Sequence, residues 1–466
     1  MTPVVGGRLD LGALRAEVDV GQIDTVLLVI TDMQGRLQGK RMAGRFLVDD
    51  LLGSGRVAPV EGCDYLLAVD VDMNTVGGYE LSSWDGGYGD LVWRPDPATL
   101  CRIPWHDGTA LMHCDVQRAD GAPVTVAPRQ ILRAQLDRLA ARGWTALAGT
   151  ELEFILFDDT FAEAGNRGYA GLTPANQYNV DYSILGTARV EPLLRRIRLG
   201  MAGAGMVVES AKGECNLGQH EIAFKYADAL STCDNHVLYK TGAKEIAAQD
   251  GRSLTFMAKY DEREGNSCHI HLSLRGPGGA PVFASRGGAG HGGVTRSAEF
   301  DHFLAGLLAG LRELTLLFAP NINSYKRYVP GSFAPTTVAW GEDNRTCALR
   351  VVGHSPHAVR VENRVPGGDV NPYLAVAGMI AAGLHGIEQE LPLEPAYVGN
   401  AYTDTDRPRV PATLRDAAEL WTASPLARAA FGDDVVDHYA NMARVELAAF
   451  DATVTDWERR RGFERL

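Results

Sequence analysis

The sequence predicts an α+β protein with a small β-rich N-terminal domain over residues 22–120 and a larger mixed domain over residues 125–466. Three observations carry this reading. Short apolar runs broken by Gly, Pro and Asp fill the first part. The hydrophobic period switches from strand-like to helical near residue 128. A long apolar helical pattern then opens the tail at residue 371.

TVLLVIT at 25–31 is a short β-rich run, and DMQGRLQGKRM supplies a turn and a second, polar strand. In APRQILRAQLDRLAARGW, Ile131, Leu132, Leu136 and Leu139 fall on one helical face, Pro128 suits the first turn and Gly143 suits the stop. Strand candidates separated by helices follow, which predicts a mixed α+β domain. Residues 275–293 are glycine-rich and read as a surface loop, and NPYLAVAGMIAAGLHGIEQE begins a mostly helical tail.

The net charge of -13 argues against binding a nucleic-acid backbone, while a local cationic pocket for a small anion stays open. Hydrophobic residues at 45% and charged residues at 22% fit a soluble globular chain. Seven cysteines, irregularly spaced and without a CxxC pair, point to a reducing cytoplasm and away from disulfides or structural zinc. The N-terminus lacks a basic start followed by an apolar run, and the longest apolar run, 373–384, is too short to span a bilayer. The expectation is a cytoplasmic protein with neither nucleic-acid nor membrane partners.

Polar residues alternate inside otherwise apolar strands. In TALAGTELEFILF, Glu151 and Glu153 share a face, with Cα atoms roughly 6.6–6.8 Å apart, a separation that suits carboxylates serving two adjacent metal ions. His269, His271 and Ser273 alternate in SCHIHLSL, and Arg360, Glu362 and Arg364 in AVRVENRV. A single such strand is more simply a half-solvated sheet, but surface strands carry Lys, Thr and Ser, not three sets of ligand-type residues. VVESAKGECNLGQHEIAF adds Glu209, Glu214 and Glu221 around a Gly-Gln turn.

Carboxylates with one or two imidazoles suit Mg²⁺ or Mn²⁺. Cys215 and Cys268, beside these candidates, read as packing residues. Arg327, Arg345, Arg350, Arg360 and Arg364 lie nearby in sequence, and divalent ions with several arginines equip a site for phosphoryl transfer. The residues alone therefore describe a metal-dependent, ATP-using transfer enzyme. Two glycine-rich segments carry no such signal. GRLQGK at 35–40 has the wrong glycine spacing and no Ser or Thr after its Lys, so it reads as a hairpin turn. GGAGHGG at 287–293 follows no apolar strand.

Six spaced segments resemble the glutamine synthetase family: GTELEF at 149–154, GECNLGQHEI at 213–222, GNSCHIHLSL at 265–274, NSYKRYVPG at 323–331, NRTCALR at 344–350 and RVENR at 360–364. The resemblance implies a β-grasp-like N-terminal domain, a catalytic domain with a funnel-shaped site, and homo-oligomeric rings, commonly dodecamers, with sites shared between neighbours. It implies ATP and Mg²⁺ or Mn²⁺ as cofactors, about two or three ions per site. By position, Glu153, Glu214 and Glu221 match one metal's ligands, and Glu151, His269 and Glu362 match the other's. Glu209, His271, Ser273, Arg345 and Arg350 match nucleotide contacts. Gly265, Arg327 and Arg364 match groups that hold L-glutamate, and Arg345 also matches a contact of the transferred phosphoryl group. The implied chemistry is phosphorylation of the glutamate γ-carboxylate by ATP, then displacement of phosphate by a nitrogen nucleophile.

The sequence departs from ammonium-using members in two places. Phe333 stands in PGSFAP where they carry a flap glutamate, and GGYELSSWDGGYGD lacks the aspartate of their Asp-Gly-Ser-Ser segment, with Asp85 out of register. Ammonium needs anionic ligands and a base, because a protonated nitrogen cannot attack. A phenyl ring instead offers an apolar wall or a face for an alkyl amine. The predicted nucleophile is a larger primary amine, with a small monoamine such as ethanolamine favoured over a polyamine. Glu264 is a candidate contact for that amine or a substitute base. Competing readings are an ammonium-using synthetase in which Phe333 only packs the flap, a non-catalytic relative, and a kinase for another acceptor. Tyrosines 397 and 402 in EPAYVGNAYTD carry no modification signal.

Overall fold

A helix over Leu11–Asp19, capped by the Asp10 side chain on the Ala13 N–H, leads into a six-stranded N-terminal sheet. Its strands are β1 (Thr25–Thr31), β2 (Leu37–Ala43), β3 (Val60–Cys63), β4 (Asp90–Pro95), β5 (Cys101–Arg102) and β6 (Thr109–Gln117). The order is β2-β1-β6-β4-β3, with β5 paired to β6 and with β1 parallel to β6. The β1–β2 hairpin turns at 32–36, where Gly35 has φ +78° and the Asp32 carboxylate accepts from both the Arg36 N–H and its guanidinium. This is the turn expected from GRLQGK. The helix over Leu11–Asp19 was not legible in the sequence; only its Leu14 and Val18 are fully buried.

In this computed structural model, residues 7–53, 55–285 and 295–466 are described; the whole GGAGHGG segment, and with it the end of the glycine-rich loop, lies outside them. The helix Pro128–Ala140 starts on its proline as predicted, and Gly143 after it has φ +73°. It packs on the buried helix Pro372–Glu388, which also packs against Ala298–Gly310. The last two helices touch backbone to backbone: a Cβ on Gly306 would lie 2.1 Å from the Ala382 carbonyl oxygen, so only glycine fits.

The large sheet comprises β7 (Thr145–Phe157), β8 (Val208–Gly213), β9 (Gln219–Phe224), β10 (Ala227–Asp228), β11 (Ser253–Thr255), β12 (Cys268–Arg275), β13 (Trp340–Glu342), β14 (Leu349–Val352) and β15 (Arg360–Asn363). Its order is β13-β14-β15-β12-β7-β9-β8, with β10 and β11 also paired to β7. The apolar faces of both sheets and the central helices join one continuous hydrophobic cluster. A buried ionic knot ties the N-terminal sheet to two helices of the larger domain. Arg129 bonds Asp96 and Asp115 of the N-terminal sheet region and Asp234 of the helix Ala229–Gln249.

Candidate active site

Strand register assembles the polar faces. β7 lies between β12 and β9, and antiparallel pairing sets His269 opposite Glu151 and Glu221 opposite Glu153. β15 sets Glu362 opposite His271 and, on its other edge, opposite Arg350 of β14. Alternate residues of one strand thus feed two adjacent clusters, as the Glu-x-Glu spacing predicts.

Glu153, Glu214 and Glu221 converge closely enough for one ion. Glu153 accepts from the Ser267 N–H at 2.7 Å and from Gln219 Nε2 at 2.9 Å. Burial pushes the Glu153 carboxyl up, and it pushes Glu221 to about 8 against the opposing pull of Lys212. Two buried carboxylates held this far from their ordinary range need a countercharge. The Lys212 ammonium touches Glu214, lies 3.7 Å from Glu221 and sits over the Tyr182 ring. An all-oxygen donor set of this kind fits Mg²⁺ or Mn²⁺. Glu214 is also grouped with Asp181 and Cys215, whose thiol bonds Asp181 at 3.5 Å.

Glu151, His271 and Glu362 form the second cluster. His269 borders it, with Nδ1 3.3 Å from Glu151 and 3.5 Å from Glu362. Geometry therefore groups His271 with the two carboxylates, where the sequence reading put His269. His269 nonetheless has a buried Nε2 without a partner, and burial with the nearby Arg364 lowers its pKa to about 4. A neutral imidazole with an unused nitrogen is the metal-ligating form. Burial works against charge on Glu151, but hydrogen bonds from His269 and His271 hold it below the usual range. Burial likewise opposes charge on Glu362, while His269 and Arg364 bring it down to about 2. Both clusters fit divalent ions by donor type.

A cavity of about 450 Å³ opens from Glu151 and His271 and is lined by Glu209, Ser273, Tyr226 and Arg360 among others. Arg360 Nε donates to His271 Nδ1 at 3.2 Å, which leaves His271 Nε2 for Glu151. Glu209 is exposed on the rim, while Ser273 is buried in the wall. A slot with carboxylates at one end and an aromatic ring among its walls suits a nucleotide.

The predicted arginines behave differently from one another. Arg350 bonds Glu362 and Asp343, and Arg364 bonds Glu362 at 2.5 Å and the Phe333 carbonyl at 3.3 Å. Arg327 is 1% exposed and donates to the carbonyls of Val365 and Arg364, so most of its fork is engaged by backbone. Arg345 is exposed and makes none of the described ion pairs. Gly265 sits against Arg327: a Cβ there would lie 2.8 Å from Arg327 Cγ and 2.1 Å from the Ala258 carbonyl oxygen. Glu264 is half-buried, and its carbonyl accepts from Asn216. Phe333 is 54% exposed with φ +59°, an uncommon conformation for a bulky residue. Cys268 is fully buried and Cys215 half-buried.

Sequence reasoning missed Lys212, Asp181 and Tyr226. Lys212 stands two residues before Glu214 in AKGE, so a basic residue alternating with a ligand was the available signal. Asp181 and Tyr226 reach the site by tertiary folding and left no local mark.

The chain matches the profile of the glutamine synthetase catalytic domain over residues 125–462. It is 66% identical over 466 residues, 100% of this chain and 98% of the relative, to gamma-glutamylethanolamide synthetase GlnA4 of Streptomyces coelicolor. It is 36% identical to glutamate–isopropylamine ligase of a Pseudomonas species, with 96% of each chain covered. The solved GmaS/ADP complex superposes with a TM-score of 0.82 at 28% identity, covering 97% of this chain and 99% of the other. The chain belongs to the glutamine synthetase family.

Proposed function

We propose that this enzyme is an ATP-dependent carbon–nitrogen ligase that joins the γ-carboxylate of L-glutamate to a small primary amine, ethanolamine first among the candidates. The carrying observation is Phe333, an exposed aromatic whose carbonyl is bonded by Arg364, the partner of Glu362 in one of two intact carboxylate clusters. The names of the two similar proteins, which make γ-glutamyl ethanolamide and join glutamate to isopropylamine, support the same acceptor class. The GmaS structure, described with ADP, supports a nucleotide in the cavity over Glu209, His271 and Ser273.

In the reaction a γ-carboxylate oxygen attacks the terminal phosphorus of ATP, and the bond to ADP breaks. The amine nitrogen then attacks the acyl carbon, phosphate leaves, and the nitrogen gives up a proton. Glu153, Glu214 and Glu221 would hold one divalent ion, and Glu151, Glu362 and a histidine the other. Bound ions would supply charge neutralisation for the phosphoryl oxygens. Arg345 and Arg350 would meet phosphoryl charge, and Arg327, Arg364 and Gly265 would shape the glutamate end. Only the free amine attacks, so a proton acceptor is needed, and Asp181 and Glu264, which lie near Cys215 and Glu214, would be the candidates. The Phe333 ring would close over the carbon chain.

We assign residues 22–120 to the N-terminal domain and 125–466 to the catalytic domain, in a cytoplasmic homo-oligomeric ring, with a dodecamer expected. No described helix is long and apolar enough to cross a membrane. Phosphate release from purified protein with ATP, glutamate and Mg²⁺ tests the reading, with ammonium compared against ethanolamine, putrescine and spermidine. Ammonium turnover equal to or above the amines would make it a glutamine-forming enzyme and overturn the reading of Phe333.

A further inference from the structure

The lid residue Phe333 is gripped from one side only. Its carbonyl accepts from Arg364, whose other arm bonds Glu362, so the lid is joined through one side chain to the second carboxylate cluster. Its N–H makes none of the described hydrogen bonds. Facing that N–H is Tyr402, whose hydroxyl is buried and has no partner of good geometry. An unused donor thus stands beside an unused acceptor, and a buried polar atom left unpaired costs more than a made bond contributes.

The two sides of this contact differ in rigidity. Tyr402 sits in a short turn, Ala401–Thr403, capped by the Asn400 side chain. The Ala401 N–H donates to Thr346 Oγ1 at 3.0 Å, and the Ala401 carbonyl accepts from Thr337 Oγ1 at 2.9 Å. Ala401 itself is fully buried with Ala339 and Cys347. Phe333 is exposed and held in the left-handed region, which a bulky side chain enters only when surrounding contacts impose it. A fixed anchor therefore meets an exposed residue whose one described backbone bond is the one from Arg364 to its carbonyl.

We propose that Tyr402 is a positioning residue of the lid: its hydroxyl accepts the Phe333 N–H when the amine is bound, fixing the angle at which the ring closes over the amine's carbon chain. Tyr402 touches neither glutamate nor nucleotide in this role. It acts through Phe333, and the inference rests on the amine-ligase reading above.

The test is Tyr402→Phe, which removes one oxygen and keeps the ring, with Tyr397→Phe as a neighbouring control. The KM for ethanolamine should rise about threefold to tenfold, the size of one lost hydrogen bond. The KM values for ATP and glutamate and the melting temperature should stay unchanged. Phosphate released per amide formed should also increase, because a loosely set lid admits water to the acyl phosphate. Unchanged amine KM and unchanged coupling would overturn the proposal, as would equal loss toward all three substrates with a lower melting temperature, which marks a structural role. If wild-type protein uses ammonium and no organic amine, the acceptor reading fails. The coupling ratio of Tyr402→Phe with ammonium would then still report whether the hydroxyl sets the lid.

Discussion

His271 and Glu362 face each other across the antiparallel pairing of β12 and β15, and the Glu362 carboxylate there is fully buried while it accepts from both Arg350 and Arg364. Glu362 is thus at once a ligand candidate and the counter-ion of two guanidinium groups. Arg350 keeps Asp343 if Glu362 is neutralised, but Arg364 has no other carboxylate among the described contacts.

Glu362→Gln should therefore fail in two measurable ways. Removing one partner of a buried pair costs about 3–5 kcal/mol, so the denaturation midpoint should drop. Amide synthesis should fall by at least about 100-fold, since this carboxylate is one of the three groups that make up the second candidate metal cluster. Normal turnover with a lowered midpoint would restrict Glu362 to a structural role.

Glu221 yields a pH prediction. Its pKa is raised to about 8 by burial, above the ordinary carboxylate value, so the metal-free fold holds a proton that the unfolded chain releases. That contribution favours the fold at low pH and is lost as pH rises toward about 8. A divalent ion must displace the same proton, so its binding strengthens over the same window. The rise in melting temperature produced by saturating Mg²⁺ should accordingly be small at pH 6 and larger at pH 8. An Mg²⁺ effect independent of pH would show that Glu221 is not a ligand.

Phe333→Glu tests the lid chemistry. A carboxylate there would offer ammonium both a counter-charge and a base, and would remove the apolar wall. The ratio of ammonium to ethanolamine turnover should rise, through gained ammonium use, lost amine use, or both. An unchanged ratio would mean that Phe333 only packs.

The ligand set was legible in sequence because strand alternation is a local property. Glu151 and Glu153 share a face whatever lies beside them, and the register of β9, β12 and β15 then decides only which cluster each joins. The same limit explains the histidines. His269 and His271 point to the same side, so spacing cannot choose between them, and the choice depends on Arg360 occupying His271 Nδ1. The helix Pro128–Ala140 announced itself through its proline and its apolar face. Leu11–Asp19 did not, since a short helix with two buried residues has too weak a period. Tyr402 lies far from Phe333 in sequence, and no propensity or pattern encodes that meeting.

Arg129 carries the last prediction. It is 4% exposed and bonds Asp234 through Nε and Nη2, both at 3.0 Å, while its remaining reach goes to Asp96 and Asp115. Asp234 is equally buried and also accepts from the Tyr373 hydroxyl at 2.6 Å. Burial alone would push Asp234 up, but His113 and Arg129 hold it below its ordinary range, so it stays charged and needs the guanidinium. Arg129→Gln leaves that charge with the Tyr373 hydroxyl and a neutral amide, and should cost about 3–5 kcal/mol. Asp234→Asn alone should also destabilise, because it strands the guanidinium. The double variant removes both charges and should be markedly less damaged than the sum of the two. A double-mutant cycle in urea measures this directly, and strict additivity would show that the two residues do not support each other between the two helices. The helix bearing Asp234 also bonds β7 through Thr232 to the Ala148 carbonyl and through His236 to Thr150, next to Glu151. Arg129→Gln should therefore also weaken Mg²⁺-dependent activity at temperatures where the protein is still folded, although Arg129 lies outside the catalytic cavity.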